Sequence, residues 1–329
     1  MHILVIFTGG TIGSSLVDGW IAPDKSTKSE LIFKYQEKEG DKATRFSTLS
    51  PYTVLSENLT AKEINQLVAC VDEAQDKDYD GIIVTHGTDT LQFSAAALAF
   101  TSRKKIPVVL VSANYPLQDE RSNGLDNFRA AVNFLAYRPE KEVYVSYKNR
   151  GNTKVNVHLA TRITSHMEAC ADLYSLDGVP YAVVDNDTKI VSFSKNIALS
   201  SDMGVGKVEF CPHPNLLIAE SYPEKRYSYA LDKYSAVILC PYHSGTLNTA
   251  SKSFQDFCLQ AKEKGVPVFV VNVQGGATYN SSKLFDDLGL ISLPFCTKIS
   301  IFVKCWLALS LQKDVKDFVL TPLSNEFCK

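Results

Sequence analysis

Nowhere in the 329 residues is there an apolar run approaching the roughly 20 positions that a membrane-spanning helix needs. The first apolar stretch, Ile3 to Phe7, is too short for the core of an export leader. It lacks a basic segment before it and runs straight into a glycine turn, so no leader is read. Excess charge of one sign is also missing: 34 Lys and Arg stand against 36 Asp and Glu, a net charge of -2. A chain so balanced offers nucleic acid no electrostatic footing. The eight cysteines (Cys70, Cys170, Cys211, Cys240, Cys258, Cys296, Cys305, Cys328) include no C-x-x-C pair. Scattered cysteines in a large chain without a leader read as free thiols in a reducing compartment, which makes the cytoplasm the expected location. Cys211-Pro212-His213 and Cys240-Pro241-Tyr242-His243 do not match the common zinc spacings, and buried strand cysteines explain them more simply; neither metal nor cofactor is expected. Internal repeats and low-complexity segments are absent too.

What is present is an ordinary globular composition, 45% apolar and 21% charged, in a chain too long for one typical core. The pattern is strand, loop and helix, repeated. Ile3 to Phe7, Ile82 to Val84 and Pro107 to Val111 are continuous apolar runs of the kind buried on both faces of a parallel sheet. Thr60-Ala61-Lys62-Glu63 is a capping box opening a helix with the stripe Ile64, Leu67, Val68, Val71 and Ala74. Further helices are expected over about 90–102 and 121–136, and further strands over 143–147 and 155–163, the second antiparallel or at an edge. Residues 14–50 show few periodic apolar positions and read as one long irregular connection, the form lids and binding loops take. A second strand–helix run follows: strands over 216–219 and 236–239, a helix over 249–264, a strand over 267–273, then helices. The fold class is therefore α/β. An N-terminal domain over 1–190 with a mainly parallel sheet, a linker over 191–207, and a smaller doubly wound parallel domain over 208–329 are expected.

Chemistry concentrates in two short motifs, Thr8-Gly9-Gly10-Thr11-Ile12-Gly13 and Thr85-His86-Gly87-Thr88-Asp89-Thr90. Each follows a parallel-strand run, and parallel sheets place their sites beyond the carboxyl ends of the strands. The first motif lacks the spacing of a dinucleotide fingerprint and the lysine of a phosphate loop. Glycine turns are common sheet punctuation, but two of them with hydroxyls and a carboxylate suggest acyl transfer. A threonine hydroxyl is a weak nucleophile that needs a base or relay, and backbone N–H groups in a glycine turn can hold an oxyanion.

These two motifs resemble the paired signatures of the bacterial-type L-asparaginases, and the short N-terminus is similar to the cytoplasmic, type I branch. Leu55-Ser56-Glu57-Asn58-Leu59 is similar to the family's substrate-gripping loop. Ala113-Asn114-Tyr115-Pro116, with Arg121-Ser122-Asn123-Gly124 and Asn127, is similar to its segment after the third strand. The resemblance covers most of the chain and implies a two-domain asparaginase-like architecture. It implies Thr11 as nucleophile, with Thr88 and Asp89 as a second catalytic group in which Asp89 also pairs the substrate ammonium. Ser56 and Glu57 would hold the α-carboxylate and α-amine, and the Ala113 carbonyl would face the leaving amide. It further implies L-asparagine, with L-glutamine possible, as a small-molecule substrate, and a homodimer or homotetramer whose sites a neighbouring subunit completes. Pro241 to Thr246 matches the segment presented to that neighbour.

Two positions depart from the family pattern. Trp20 stands where the family has a tyrosine, and an indole N–H only donates. Arg162-Ile163-Thr164-Ser165 matches the family's R-x-T-K, so Ser165 replaces a lysine. Arg162, in a shifted register, remains protonated and is no base, while Lys154 substitutes only if the strand is offset. Two readings follow: an amidohydrolase making L-aspartate and ammonia, or an asparaginase-like binder of an amino acid with poor turnover. The amidase subunit that supports transfer RNA amidation is a relative carrying an extra N-terminal domain, whereas the first motif here begins at Thr8.

Overall fold

A computed structural model describes residues 1–17, 20–23, 27–195, 197–199, 204–273 and 279–328, with the side chains of 15–29 and Asp177 outside the description. The chain divides into two compact units, Met1–Val208 and Glu209–Lys329.

The first unit is built on β1 (His2–Phe7), whose apolar run is buried, with a strand paired along each of its two edges and helices packed on the sheet. After it come the short hairpin β2 (Ser14–Val17) and β3 (Trp20–Pro23), α1 (Thr27–Glu39), β4 (Arg45–Leu49), α2 (Ala61–Glu73) and β5 (Gly81–Thr85). Then follow α3 (Leu91–Thr101), β6 (Val108–Val111), α4 (Gly124–Ala136), β7 (Val143–Tyr147), β8 (Val155–Leu159), β9 (Ala182–Val184) and β10 (Val191–Phe193). Eight of these strands form one sheet in the order β10-β9-β8-β7-β6-β5-β1-β4. Strands β4, β1, β5, β6 and β7 are mutually parallel, so the segments leaving β1, β5, β6 and β7 emerge at one edge. Strands β8, β9 and β10 add antiparallel pairs beyond β7. Ile3, Val5, Phe7, Ile83, Val109 and Val111 pack with Leu31 and Tyr35 of α1 and Phe128, Val132 and Leu135 of α4. The capping box at α2 forms: the Thr60 hydroxyl accepts from the Lys62 amide at 3.3 Å, and Glu63 accepts from the Thr60 amide at 3.1 Å.

The structure differs from the sequence expectations in three places. Residues 14–50 hold a hairpin, a helix and an edge strand rather than one irregular connection. Helix α1 escapes a search for periodicity because, among its described side chains, Leu31 and Tyr35 are the fully buried ones, Ile32 packs partly buried beside them, and Phe33 faces solvent. The strand expected to reach residue 163 stops at Leu159, where a 3₁₀ turn over Ala160–Arg162 packs on α3. Val191–Phe193, inside the expected linker, pair with β9 as the sheet's last strand.

The second unit has an all-parallel sheet, β11 (Leu216–Glu220), β12 (Ala236–Cys240), β13 (Val268–Val270) and β14 (Ile291–Ser292), in that order. Helix α5 (Lys252–Glu263) sets Phe254, Phe257 and Cys258 against one face. On the other face, α6 (Lys298–Ser310) and α7 (Val315–Leu320) bring Ile301, Cys305 and Val319 onto Ile238 and Phe269. Helices on both faces of a parallel sheet are the doubly wound form. Among the described residues no helix is long and apolar enough to cross a membrane.

Candidate active site

The two threonine motifs occupy neighbouring loops at the carboxyl ends of β1 and β5, strands paired through Phe7 and Thr85. The Thr8 hydroxyl donates to the Thr85 carbonyl at 2.7 Å. The loops then touch backbone to backbone: a Cβ on Gly10 would fall inside the Gly87 backbone, and one on Gly87 would lie 3.2 Å from the Gly10 Cα. Only glycine permits this approach. The 54–58 segment is stitched to the first loop, with the Val54 amide donating to Thr8 O and the Gly10 amide to Val54 O, both at 3.1 Å. Three loops therefore converge before any side chain is considered.

Ser56 is buried where these loops meet. Its hydroxyl donates to the Asp89 carboxylate at 3.2 Å and accepts from the Asp89 amide at 3.3 Å, while the Thr90 hydroxyl donates to Ser56 O at 2.9 Å. Glu57, its neighbour, is exposed. Thr11 begins a short 3₁₀ turn, Thr11–Gly13, and Ile12 beside it joins Ala113 and Leu117 in the core. Ala113 is fully buried just past β6.

Strand ends further along the sheet are laced by side chains. Ser112 donates to His86 O at 2.7 Å, Asn127 to Ser112 O at 2.8 Å, and Ser146 to Asn127 O at 3.0 Å. Asn123 donates to Lys148 O at 2.8 Å, and Asn114 and Asn123 exchange amide-to-side-chain bonds of 2.9 and 3.0 Å. Buried hydrogen bonds of this kind fix loop positions because leaving any of these groups unpaired would cost its desolvation. His86, fully buried, keeps its titration below the ordinary range through burial, opposed by the nearby Gly87 carbonyl.

Beside this edge lies a cavity of about 590 Å³. Thr88, Asp89 and Gln92 line one side, Asn114, Tyr115, Asn123, Tyr147 and Arg150 the next. The remaining wall comes from the 163–175 segment, through Ser165, His166, Cys170 and Asp172 among others. That segment is a hairpin closed by the Ile163–Ser175 bridge, with Thr164 N donating to Tyr174 O at 2.9 Å and Met167 N to Asp172 O at 3.0 Å. Asn149 pins it by donating to Leu173 O and accepting from Leu173 N, both at 2.8 Å.

Thr88, Asp89 and Ser165 thus share the cavity wall, and Ser56 reaches them through Asp89; Thr11, Glu57 and Ala113 are outside the lining. Trp20 occupies β3 opposite Val17, and its side chain is outside the described residues. Ser165 does stand at the cavity, so no lysine is brought there by that position. Lys154 does not replace it, being exposed and paired with Asp185 at 3.3 Å. The family motifs give no signal for His166, adjacent to Ser165. Its ring meets Tyr147 edge-on at 5.1 Å, and both ring nitrogens are buried without closing a hydrogen bond. Burial pushes its titration down to about 4, while the Asp89 carboxylate, the Thr88 backbone and Asp172 pull the other way.

In the second unit, Cys240 ends β12 with its thiol pushed up to about 12, chiefly by burial and then by Glu220. Cys211 is half-buried, and His213 and His243 are exposed. Among the described residues no three His, Cys, Asp or Glu are grouped to hold a metal.

Fold and site together define a two-unit α/β protein whose polar pocket gathers hydroxyl and carboxylate groups on loops at the ends of parallel strands. The family profile described as "Asparaginase, N-terminal" matches residues 2–195, and the chain belongs to this asparaginase family. An L-asparaginase of Thermococcus kodakarensis is 26% identical over 332 residues, covering 96% of this chain and 95% of that one. A glutamyl-tRNA(Gln) amidotransferase component from Methanosarcina mazei is 29% identical over 192 residues, 56% of this chain; the match spans 44% of that relative's length. Among solved structures, the thermostable L-asparaginase of Thermococcus kodakarensis has the same fold, with a TM-score of 0.82 at 21% identity and complete coverage of both chains.

Proposed function

We propose that this protein is an amidohydrolase that cleaves the side-chain amide of L-asparagine, with L-glutamine as a second candidate, to release ammonia. The carrying observation is the contact of the Gly10 and Gly87 backbones, which sets the Thr11 and Thr88–Asp89 loops side by side. In this reading the Thr11 hydroxyl attacks the amide carbon, the glycine-turn N–H groups receive the developing oxyanion, and ammonia departs. Water directed by Thr88 then releases the acyl group. Asp89, held by Ser56, pairs the substrate ammonium; Ser56 and Glu57 hold the α-carboxylate and α-amine, and the Ala113 carbonyl receives the leaving amide. Active assemblies are dimers or tetramers, which sedimentation would detect as two or four chains. A cytoplasmic location fits eight cysteines of which none forms a disulfide.

The first test is Thr11→Ala, expected to abolish ammonia release from asparagine while leaving the circular dichroism spectrum intact. Ammonia release equal to that of the unaltered protein would remove the assignment. One observation favours a second reading: among the described residues no lysine lines the cavity. A binder of asparagine or aspartate without turnover would give heat in calorimetry and no ammonia over long incubation.

A further inference from the structure

Beyond the family motifs, one group in the cavity has no assigned work. His166 shares the cavity with Thr88 and Asp89 from the 163–175 hairpin, and both its ring nitrogens are out of solvent without a closed hydrogen bond. A buried imidazole ordinarily acquires one; His158, a strand away, is bonded to Ser175 at 2.8 Å. The ring lies against Thr88, whose backbone is among the groups acting on it, so its nitrogens face the catalytic loop from behind the cavity wall. The placement is held from several sides. Asn149 and the Ile163–Ser175 bridge fix the hairpin base, the Arg150 amide donates to Asp172 at 2.8 Å, and Tyr147 supports the ring.

A hydroxyl acting on an amide or ester needs a neighbour that takes a proton and gives it back. Among the cavity-lining residues the nitrogen side chains other than amides are His166 and Arg150, and a guanidinium stays charged. We propose that His166 is the proton acceptor behind Thr88, acting through that hydroxyl in the release step of the reaction. The inference rests on the amidohydrolase reading above. When water attacks the acyl carbon, its oxygen forms the new C–O bond and its proton passes to the Thr88 oxygen. The Thr88 proton passes in turn to an imidazole nitrogen. As the C–O bond to the nucleophilic threonine breaks, the imidazolium returns its proton by the same path to the departing alkoxide. One water is consumed, one carboxylic acid is formed, and imidazole and both threonines are restored. Asp89 lies close enough to favour the transient imidazolium, a role for a carboxylate that needs no proton transfer of its own.

The groups facing the ring are Asp89 and the Thr88 backbone from the β5–α3 loop, Tyr147 from β7, His158 from β8, Arg150 from the β7–β8 connection, and Asp172 from the hairpin itself. Burial keeps the ring neutral at pH 7 and disfavours its charged form, a cost that the Asp89 carboxylate offsets in part when the proton arrives.

The test compares the unaltered protein, His166→Gln and His166→Ala with asparagine as substrate. Both variants are expected to lose ~10²–10⁴-fold in kcat, with KM falling alongside it and kcat/KM little changed, because release of the acyl group has become limiting. Rapid quench and intact mass should show the acyl group retained on the chain after a first burst of ammonia. Added imidazole should restore turnover to His166→Ala but not to His166→Gln, whose side chain fills the space. The ratio of unaltered to variant kcat should fall as pH drops through about 4, the remaining titrating groups being common to both. Unchanged kcat and pH profile in both variants overturn the role of His166 and leave the amidohydrolase reading standing. Loss of activity without imidazole rescue or acyl accumulation assigns the ring a merely structural role and also overturns it. No ammonia from the unaltered protein removes the amidohydrolase reading itself, and this inference with it.

Discussion

Gly10 has φ 74° and ψ 179°, a region that only glycine occupies without strain, and it lies against Gly87 at the meeting of the two threonine loops. Gly10→Ala should cost about 1–3 kcal/mol in backbone strain alone, and the new methyl would push the loops apart. Urea unfolding checks the first effect; ammonia release, expected to vanish, checks the second. At this scale the sequence is most readable where position along the chain decides chemistry. Thr88 and Asp89 follow a strand end, and Ser56 sits in a short loop, so local pattern places them at the edge of the sheet. His166 is not readable, because its closeness to Thr88 depends on a hairpin folding back after the chain has left β8. Its one sequence signal is adjacency to Ser165, the position where the resemblance fails. Ser56 shows a related limit: its bonds to Asp89 cross 33 residues, and no spacing rule implies them.

Elements differ in how plainly they announce themselves. Strands β1, β5 and β6 are visible as continuous apolar runs, and α2 through its cap and stripe, because burial on two faces or along one stripe dictates those patterns. The α1–β4 region is not visible, since the described part of the helix docks through Leu31, Tyr35 and the partly buried Ile32, and the edge strand is partly exposed. Asp41 organises the turn between them. It accepts from the amides of Ala43 and Thr44 at 2.8 and 3.0 Å, the Thr44 hydroxyl at 2.6 Å and the Tyr35 hydroxyl at 3.0 Å. Burial alone would raise its titration, but these donors hold it at about 2, against an ordinary 3.8. A carboxylate so depressed stabilises the fold fully above its unfolded value, and that contribution disappears as pH falls from about 4 toward 2. Asp41→Asn should therefore be less stable than the unaltered protein at pH 6, with the gap closing toward pH 2. Urea midpoints followed across that range measure it; a constant gap would mean the carboxylate charge plays no part.

Across the whole molecule each unit has its own core, and in the second a buried ion pair joins the apolar packing. Lys304 of α6 is fully buried, donating to Val319 O at 3.1 Å and Thr321 O at 2.5 Å and paired with Glu326, itself fully buried. Glu326 also accepts from the Leu323 amide at 3.0 Å. The pair ties α6 to the segment after α7. Removing one partner of such a pair strands the other charge in the core, at about 3–5 kcal/mol. Glu326→Ala should lower amide-exchange protection in α6 and α7 by that amount while β1 and β5 keep theirs. Equal loss in both units would show that they unfold as one. Chain length indicates two domains, but the expected boundary falls on a strand because β10 is three residues long and mostly exposed. Such a strand is defined by the edge of β9 waiting for it rather than by its own pattern.

The hairpin of residues 163–175 has a practical consequence for anyone wishing to change what the pocket accepts. One whole wall is a hairpin outside the sheet and its ladder, its base fixed by the Ile163–Ser175 bridge and Asn149 and its far arm by the Arg150 amide on Asp172. Randomising 165–171 would sample new chemistries opposite a fixed Thr88 and Asp89. The parallel strands that hold those two residues would fold as before.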